Sequence, residues 1–304
     1  SEFNMMKQVA SFGVPMCRPI EFGTCDEGVY SIQSWIDGDD AEEIMSAQSD
    51  TEQYVYGLEA GRILRKIHSI PAPDTQEDWE IRFNRKMDYK IKKYGECPIK
   101  YENGQAFIDY INENRHLLKD RPQVYQHGDY HIGNMMIDRN GKLHIIDFNR
   151  NDYGDPWEEF NRIVWCAQKA PLFASGMVNG YFDGDVPLEF WKEARAEVSK
   201  LNPDCIWLAE TVHRDWALQC RRNGISCFSD VESFEVFDMA YEYDTRDAFD
   251  DYLRGHGALS HYVDLLNFQE ALYPENYIKL RFLENHDTPR ICSYLENEQQ
   301  LRNY

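Results

Sequence analysis

The stretch His127-Gly128-Asp129-Tyr130-His131-Ile132-Gly133-Asn134, followed by Ile145-Ile146-Asp147-Phe148, limits what this chain can fold into more than any other feature. Two short apolar runs, Met135 to Ile137 and Leu143 to Asp147, flank Asp138-Arg139-Asn140-Gly141. A turn of the Asn-Gly kind between such runs predicts a hairpin. An acidic acceptor (Asp129) close in sequence to two hard oxygen ligands (Asn134 and Asp147) is the set that phosphoryl transfer requires. The acceptor orients and deprotonates a hydroxyl, and the ligands hold magnesium against nucleotide phosphates. The competing reading is chance spacing in a loop, and the flanking strands together with Gly154-Asp155-Pro156-Trp157 weigh against it. His127 is expected to bond the loop backbone rather than act as acid or base, because Asp129 already fills that role.

Elsewhere the periodicity predicts a helix over 1–12, strands over 18–23 and 28–36, and an interruption at Asp37-Gly38-Asp39-Asp40. Tyr54, Leu58, Ile63, Leu64 and Ile67 share one face of a helix over 51–68, closed by Pro71 and Pro73. Further helices are expected over 80–94, 104–119 and 158–168. Beyond about residue 187 the rhythm changes to strands at 205–209, 236–240 and 278–283, alternating with helices at 188–200 and 247–267. That alternation predicts βα units and a parallel sheet.

A formal charge of −21 leaves no basic stripe to neutralise phosphates, so neither a nucleic acid nor an anionic membrane is an expected partner. No run of apolar residues reaches the length of a membrane span. The eight cysteines show no CxxC or paired framework, so they are expected to be reduced thiols of a cytoplasmic protein. Ser1 and the segment from Glu298 to Tyr304 both fall within regular patterns, so the chain reads as a fragment.

On these residues the chain resembles the aminoglycoside phosphotransferase family and its choline and homoserine kinase relatives, from residue 1 to about 185. The resemblance implies a kinase-like α+β fold, with residues 1–40 a remnant of the N-lobe and 41–185 the helical C-lobe. It implies ATP and Mg²⁺ as cofactors, Asp129 as base, Asn134 and Asp147 as magnesium ligands, and Ser34, Trp35 and Ile36 as the adenine-contacting hinge. A small aminoglycoside-like hydroxyl compound would be the acceptor, with Asp155, Glu158 and Glu159 as candidate contacts. Solvated helix charges are the competing reading for the two glutamates. The Gly-rich loop and the strand lysine of kinases belong upstream of the first helix, so weak ATP binding and impaired turnover are expected. Glu2 matches the glutamate that pairs with that lysine, or is an exposed charge.

From about Val186 the sequence resembles a different family, the α-amylase type of glycoside hydrolase, a TIM barrel. Pro187 to Arg195 resembles the fourth barrel helix, Asn202 to Glu210 the fifth strand, Phe237 to Tyr241 the sixth and Arg281 to Asp287 the seventh. The resemblance implies Glu210 as general acid, with His286 and Asp287 binding the hydroxyls of an α-glucoside. The position of the family's nucleophile is Tyr181, which excludes a covalent intermediate there. Residues 186–304 are thus expected to form a partial barrel holding strands five to seven. Gly184 to Trp191 suits both families, and the chain reads as a chimera joined there: an impaired phosphotransferase, with a glycoside hydrolase fragment lacking its nucleophile, or an inactive fusion or binding module, as the alternatives.

Overall fold

The computed structural model describes residues 2–211, 213–225, 227–282 and, beyond these, 284, 285, 288, 290 and 293. It divides into two compact units, Ser1–Gly184 and Asp185–Tyr304.

The first unit begins with helix α1 (Glu2–Ser11) and the antiparallel hairpin β1 (Pro19–Cys25) and β2 (Gly28–Gln33). Asp37-Gly38-Asp39-Asp40 does not interrupt the fold as its turn-like composition suggests. Gly38–Asp40 is a strand, β3, antiparallel to β5 (Met135–Asp138), and it leads directly into α2 (Ala41–Ile44). Gly38 is required there, since a Cβ would collide with the Ile137 carbonyl across the ladder. The β5 strand pairs in turn with β6 (Leu143–Ile145), giving the sheet order β3-β5-β6, and the expected hairpin forms.

Helix α3 (Asp50–His68) opens on a capping box in which Ser49 and Glu52 satisfy each other's backbone amides. It is followed by α4 (Trp79–Glu96), α5 (Gly104–Glu113), the strand β4 (Val124–Gln126) and its antiparallel partner β7 (Asp152–Gly154). The helix expected over 158–168 is a 3₁₀ segment, Pro156–Arg162, continued by α6 (Ile163–Lys169). Pro156 and Asp155 set that tighter start.

The largest packing surface of this unit joins α3 to α7 (Pro171–Phe182). Gly57 and Gly61 on α3 face Gly176 and Gly180 on α7. A Cβ on any of them would fall deep inside van der Waals contact with a backbone carbonyl of the opposing helix: Phe173, Met177, Tyr54 or Leu58 respectively. Small residues at this spacing let two helix backbones touch. Fully buried in this unit are Leu64, Ile67, Ile70, Tyr125, Tyr130, Ile132, Phe148 and Phe173.

The second unit starts with α8 (Leu188–Leu201) and contains β8 (Leu208–Ala209), α9 (Arg214–Arg222), α10 (Asp230–Ser233) and β9 (Met239–Tyr241). It continues with α11 (Arg246–Leu253), α12 (Leu259–Leu272) and β10 (Ile278–Leu280). The three strands pair in parallel in the order β10-β9-β8, each shorter than the sequence pattern suggests. The helix expected over 247–267 is broken at Gly255 and Gly257, where Gly255 adopts a φ of 74°. Asp230 pairs with Lys279 in the interior, and both Tyr273 and the Tyr241 carbonyl close around them. Gln269 donates to both oxygens of buried Glu242, at 3.1 and 2.9 Å. Among the described residues no helix is long and apolar enough to cross a membrane, and the cysteines are free.

Candidate active site

Between β4 and β5 the chain makes a loop of tight local bonds. Gly128 adopts a φ of 82°, and a Cβ on it would collide with the Arg150 carbonyl, so only glycine fits this close approach. His127 is fully buried and spans the loop. Its Nε2 donates to the Ile146 carbonyl at 2.9 Å, while Nδ1 accepts from the Asp129 amide at 3.2 Å. These partners fix one neutral tautomer. Burial, opposed by the Glu159, Asp129 and Asp147 carboxylates, holds its pKa below the ordinary histidine value. His131 is also held down, chiefly by burial, and its Nδ1 accepts from the Gly133 amide at 3.1 Å.

Asn134 Nδ2 donates to the Asp129 carbonyl at 2.9 Å, which leaves its Oδ1 as an acceptor pointing away from the loop. The Asn134 carbonyl accepts from the Ile146 amide at 3.0 Å, so the residue before Asp147 is tied to both His127 and Asn134. Asp147 itself adopts a left-handed conformation (φ 63°, ψ 63°) at the end of the β6 segment. A non-glycine residue there is uncommon and turns the carboxylate out of the strand's alternation. The structure therefore ties Asn134 to Asp129 and to the residue before Asp147.

Trp35 and Ile36 line a cavity of about 380 Å³ together with Met16, Met136, Asp147 and Phe148. Ser34 lies just outside it, where its Oγ accepts from the Arg18 amide at 2.8 Å and its own amide donates to the Arg18 carbonyl. The hinge is thus latched to the end of β1. Trp35 is 88% exposed.

The carboxylates expected to meet a cationic substrate are otherwise engaged. Glu159 is 1% exposed and points inward, accepting from the His127 amide at 2.7 Å and the Gly128 amide at 2.9 Å. His68 Nε2 stands 3.7 Å from it, and the other His68 nitrogen lies 2.8 Å from the Tyr181 hydroxyl. Burial pushes the Glu159 pKa up, but His68, His127 and the loop amide outweigh it and hold the group below the usual carboxylate value. It thus holds the loop from inside, which corrects the reading of Glu159 as a solvated helix charge. Asp155 is likewise spent: Arg121 grips both its oxygens at 2.5 and 2.8 Å, and Oδ1 caps the Trp157 amide. Glu158 pairs with Lys86 at 3.3 Å.

Two residues absent from the sequence reading stand against Asp129. Arg162 Nε is 2.6 Å from Oδ1, outside hydrogen-bond alignment, and Arg150 is 3.5 Å from Oδ2. Their only signal was position: Arg162 lies three residues after Glu159, and Arg150 three after Asp147.

In the second unit Glu210 directly follows β8 and lines a cavity of about 750 Å³ with His213, Trp216, Tyr243, Arg246 and Asp247. His286 and Asp287, expected to join it, lie outside the described residues.

A family model described as "Phosphotransferase enzyme family" matches residues 1–193, and one described as "Alpha amylase, catalytic domain" matches residues 167–304. No curated protein matches the chain. Among solved structures, an alpha-amylase from Lactobacillus plantarum is 32% identical, with 52% of this chain and 36% of that one covered and a TM-score of 0.39. The chain therefore spans about a third of that protein's length. The streptomycin-ATP-APH(2")-IIa ternary complex is 20% identical, covering 66% of this chain and 71% of that one, with a TM-score of 0.50. The ADP-bound aminoglycoside phosphotransferase APH(2'')-Ib is 15% identical, covering 73% and 79%, also at 0.50. These last two share a fold with this chain.

Proposed function

This chain belongs to the phosphotransferase enzyme family, and on that premise we propose that its Ser1–Gly184 unit transfers the γ-phosphoryl group of ATP to a hydroxyl of a small molecule. The observation that carries the reading is the set of bonds tying Asn134 to Asp129 and to the residue before Asp147, with Asp147 lining a cavity that Trp35 and Ile36 also line. That two structures of like fold are named for bound ATP and ADP supports it.

Asp129 is assigned as the base. It receives the acceptor's hydroxyl proton as the oxygen bonds to the γ-phosphorus, and ADP leaves with the electron pair of the broken P–O bond. Trp35 and Ile36, with Ser34 latching them, are assigned to adenine. Asn134 Oδ1 and the Asp147 carboxylate fit Mg²⁺, which takes one or two protein oxygens and fills its shell with phosphate and water. For the same reason the lack of a three-residue His, Cys, Asp or Glu cluster among the described residues does not conflict with it. When bound, the ion neutralises phosphate charge. Coupled ADP release with Mg·ATP and a hydroxyl-compound panel tests the assignment. Asp129→Asn is expected to lower the rate about 10²- to 10⁴-fold. Equal rates in both proteins would remove Asp129 from the mechanism.

A second reading covers the other unit. The Glu210 cavity at the end of β8 favours a partial (β/α) barrel of α-amylase type that binds an α-glucoside, with the two families joined near Gly184 to Trp191. With Tyr181 at the nucleophile's position, binding without release of nitrophenol from a nitrophenyl α-glucoside is expected. Release that Glu210→Gln abolishes would overturn that expectation.

A further inference from the structure

Both family models match the stretch 167–193, and Tyr181 falls inside it. The α-amylase resemblance puts a nucleophile at this position; the structure gives the residue other work. Tyr181 belongs to the Ser1–Gly184 unit, in the last turn of α7, and is 8% exposed. Its ring stands edge-on to His68 and Phe160, at centroid distances of 5.4 and 5.1 Å. Its hydroxyl lies 2.8 Å from His68 Nδ1. Burial raises the pKa of this phenol above its ordinary value, so it keeps its proton.

His68 ends α3, with a side chain only 3% exposed. Its Nε2 faces Glu159 Oε2 at 3.7 Å, a distance of electrostatic attraction rather than of a formed hydrogen bond. Glu159 in turn receives the His127 and Gly128 amides, which directly precede Asp129. A row of buried polar groups thus runs from the end of α7 to the loop that carries the base.

A hydroxyl can serve Nδ1 in either protonation state of the ring, donating to a bare nitrogen and accepting from a protonated one. In both cases Nε2 carries a hydrogen toward Glu159, since the neutral ring has one N–H and the charged ring has two. Without the hydroxyl, the neutral ring is free to move its hydrogen to Nδ1. A bare Nε2 would then face the carboxylate, and two buried acceptors repel. Turning away to relieve that contact would take Glu159 off the loop amides.

We propose that Tyr181 is a positioning residue of the phosphotransferase site: its hydroxyl keeps the Nε2–H of His68 toward Glu159, and so keeps the His127 and Gly128 amides, and Asp129 after them, in place. The inference rests on the phosphotransferase reading above, and it gives the end of α7 to that chemistry rather than to a glycosidase.

Long-range nitrogen–proton NMR of the imidazole rings in the full chain tests the link without turnover, with His68 assigned by the signals that His68→Gln removes. The expected wild-type result is a hydrogen on Nε2, and in Tyr181→Phe a population with Nε2 bare. Exchange of the His127 and Gly128 amides should be about three- to tenfold faster in Tyr181→Phe, the worth of one hydrogen bond, with the amides of α3 and α7 unchanged. ADP release from Mg·ATP with kanamycin, choline or homoserine as acceptor gives the catalytic readout. There kcat should fall by a similar factor in Tyr181→Phe with KM for ATP unchanged, and the fall should vanish in a His68→Gln background, where the link is already cut. A bare Nε2 in the wild type overturns the proposal, as do unchanged loop exchange in Tyr181→Phe and rate losses that simply add. Faster exchange across α3 and α7 as well would make Tyr181 a packing residue and overturn it too. An intact link in the spectra with no ADP release from the wild-type chain would instead sink the phosphotransferase reading, and with it the site that Tyr181 positions.

Discussion

In the Ser1–Gly184 unit the interior is built from Tyr125, Tyr130, Phe148, Phe173 and a row of aliphatic side chains, closed by a helix seam where backbones touch. In the Asp185–Tyr304 unit the buried apolar residues include Ala209, Ala217, Ala240 and Ala248, and the interior is tied by charge. Asp230 pairs there with Lys279, and Glu242 with Gln269 and the Thr245 amide. A buried ion pair fixes geometry but contributes little net stability, since desolvation offsets attraction. The two units should therefore fail to different insults.

The comparison is most sharply broken at the helix seam. Gly61→Leu drives a side chain into the Met177 carbonyl and should cost about 5 kcal/mol, the upper end of single-residue effects. Hydrogen exchange should then rise across 50–68 and 171–182 and stay unchanged across 230–280. Opening of both regions together would show that they unfold as one. Lys279→Met is the counterpart, leaving Asp230 buried without its cation, at about 3–4 kcal/mol. Here exchange should rise in 230–280, and Asp230→Asn in the same chain should recover part of the loss.

Glu159→Gln lies between the two in kind. It removes one acceptor from the pair of loop amides, so about 1–3 kcal/mol of stability is expected to go, with a fall in ADP release and little change in nucleotide binding. An unchanged rate would mean that the loop holds Asp129 without it. The smallest effect is that of pH, and its sign differs between the units. His127 and Glu159 both have lowered folded-state pKa values, so their stability is present above the unfolded values of 6.5 and 4.5 and is lost as the medium acidifies. Asp244 is raised, chiefly by burial, so its contribution is full below 3.8 and is lost as pH rises through its folded value. Exchange measured at pH 7.5 and 5.5 should move toward opening at 127–147 but not at 239–246. His127→Asn should flatten the first response.

The loop at 127–147 was legible because its chemistry is local: Asp129, Asn134 and Asp147 sit on a loop and hairpin whose turn residues announce themselves. Glu159 was not, because a charge in a helix-like stretch reads as solvent-facing, and only the tertiary fold turns it toward the His127 amide. Helix α7 escaped notice for the opposite reason. Pro171–Phe182 is apolar on nearly every face, so no periodic stripe marks it, and its glycines gain meaning only against those of α3. β3 was hidden by turn-like composition, since Gly38–Asp40 pairs through backbone alone. The charged interior of the second unit was invisible too, because Asp230 and Lys279 are 49 residues apart.

The glycine seam between α3 and α7 has a mechanical consequence. Where side chains interdigitate, helices can creep past each other by swapping rotamers; where peptide planes abut, there is nothing to swap. The pair behaves as one girder, with His68 and Tyr181 at its end clamped to each other beside Glu159. Glu159 in turn holds the first two amides of the 127–134 loop, so that loop hangs from the end of the girder.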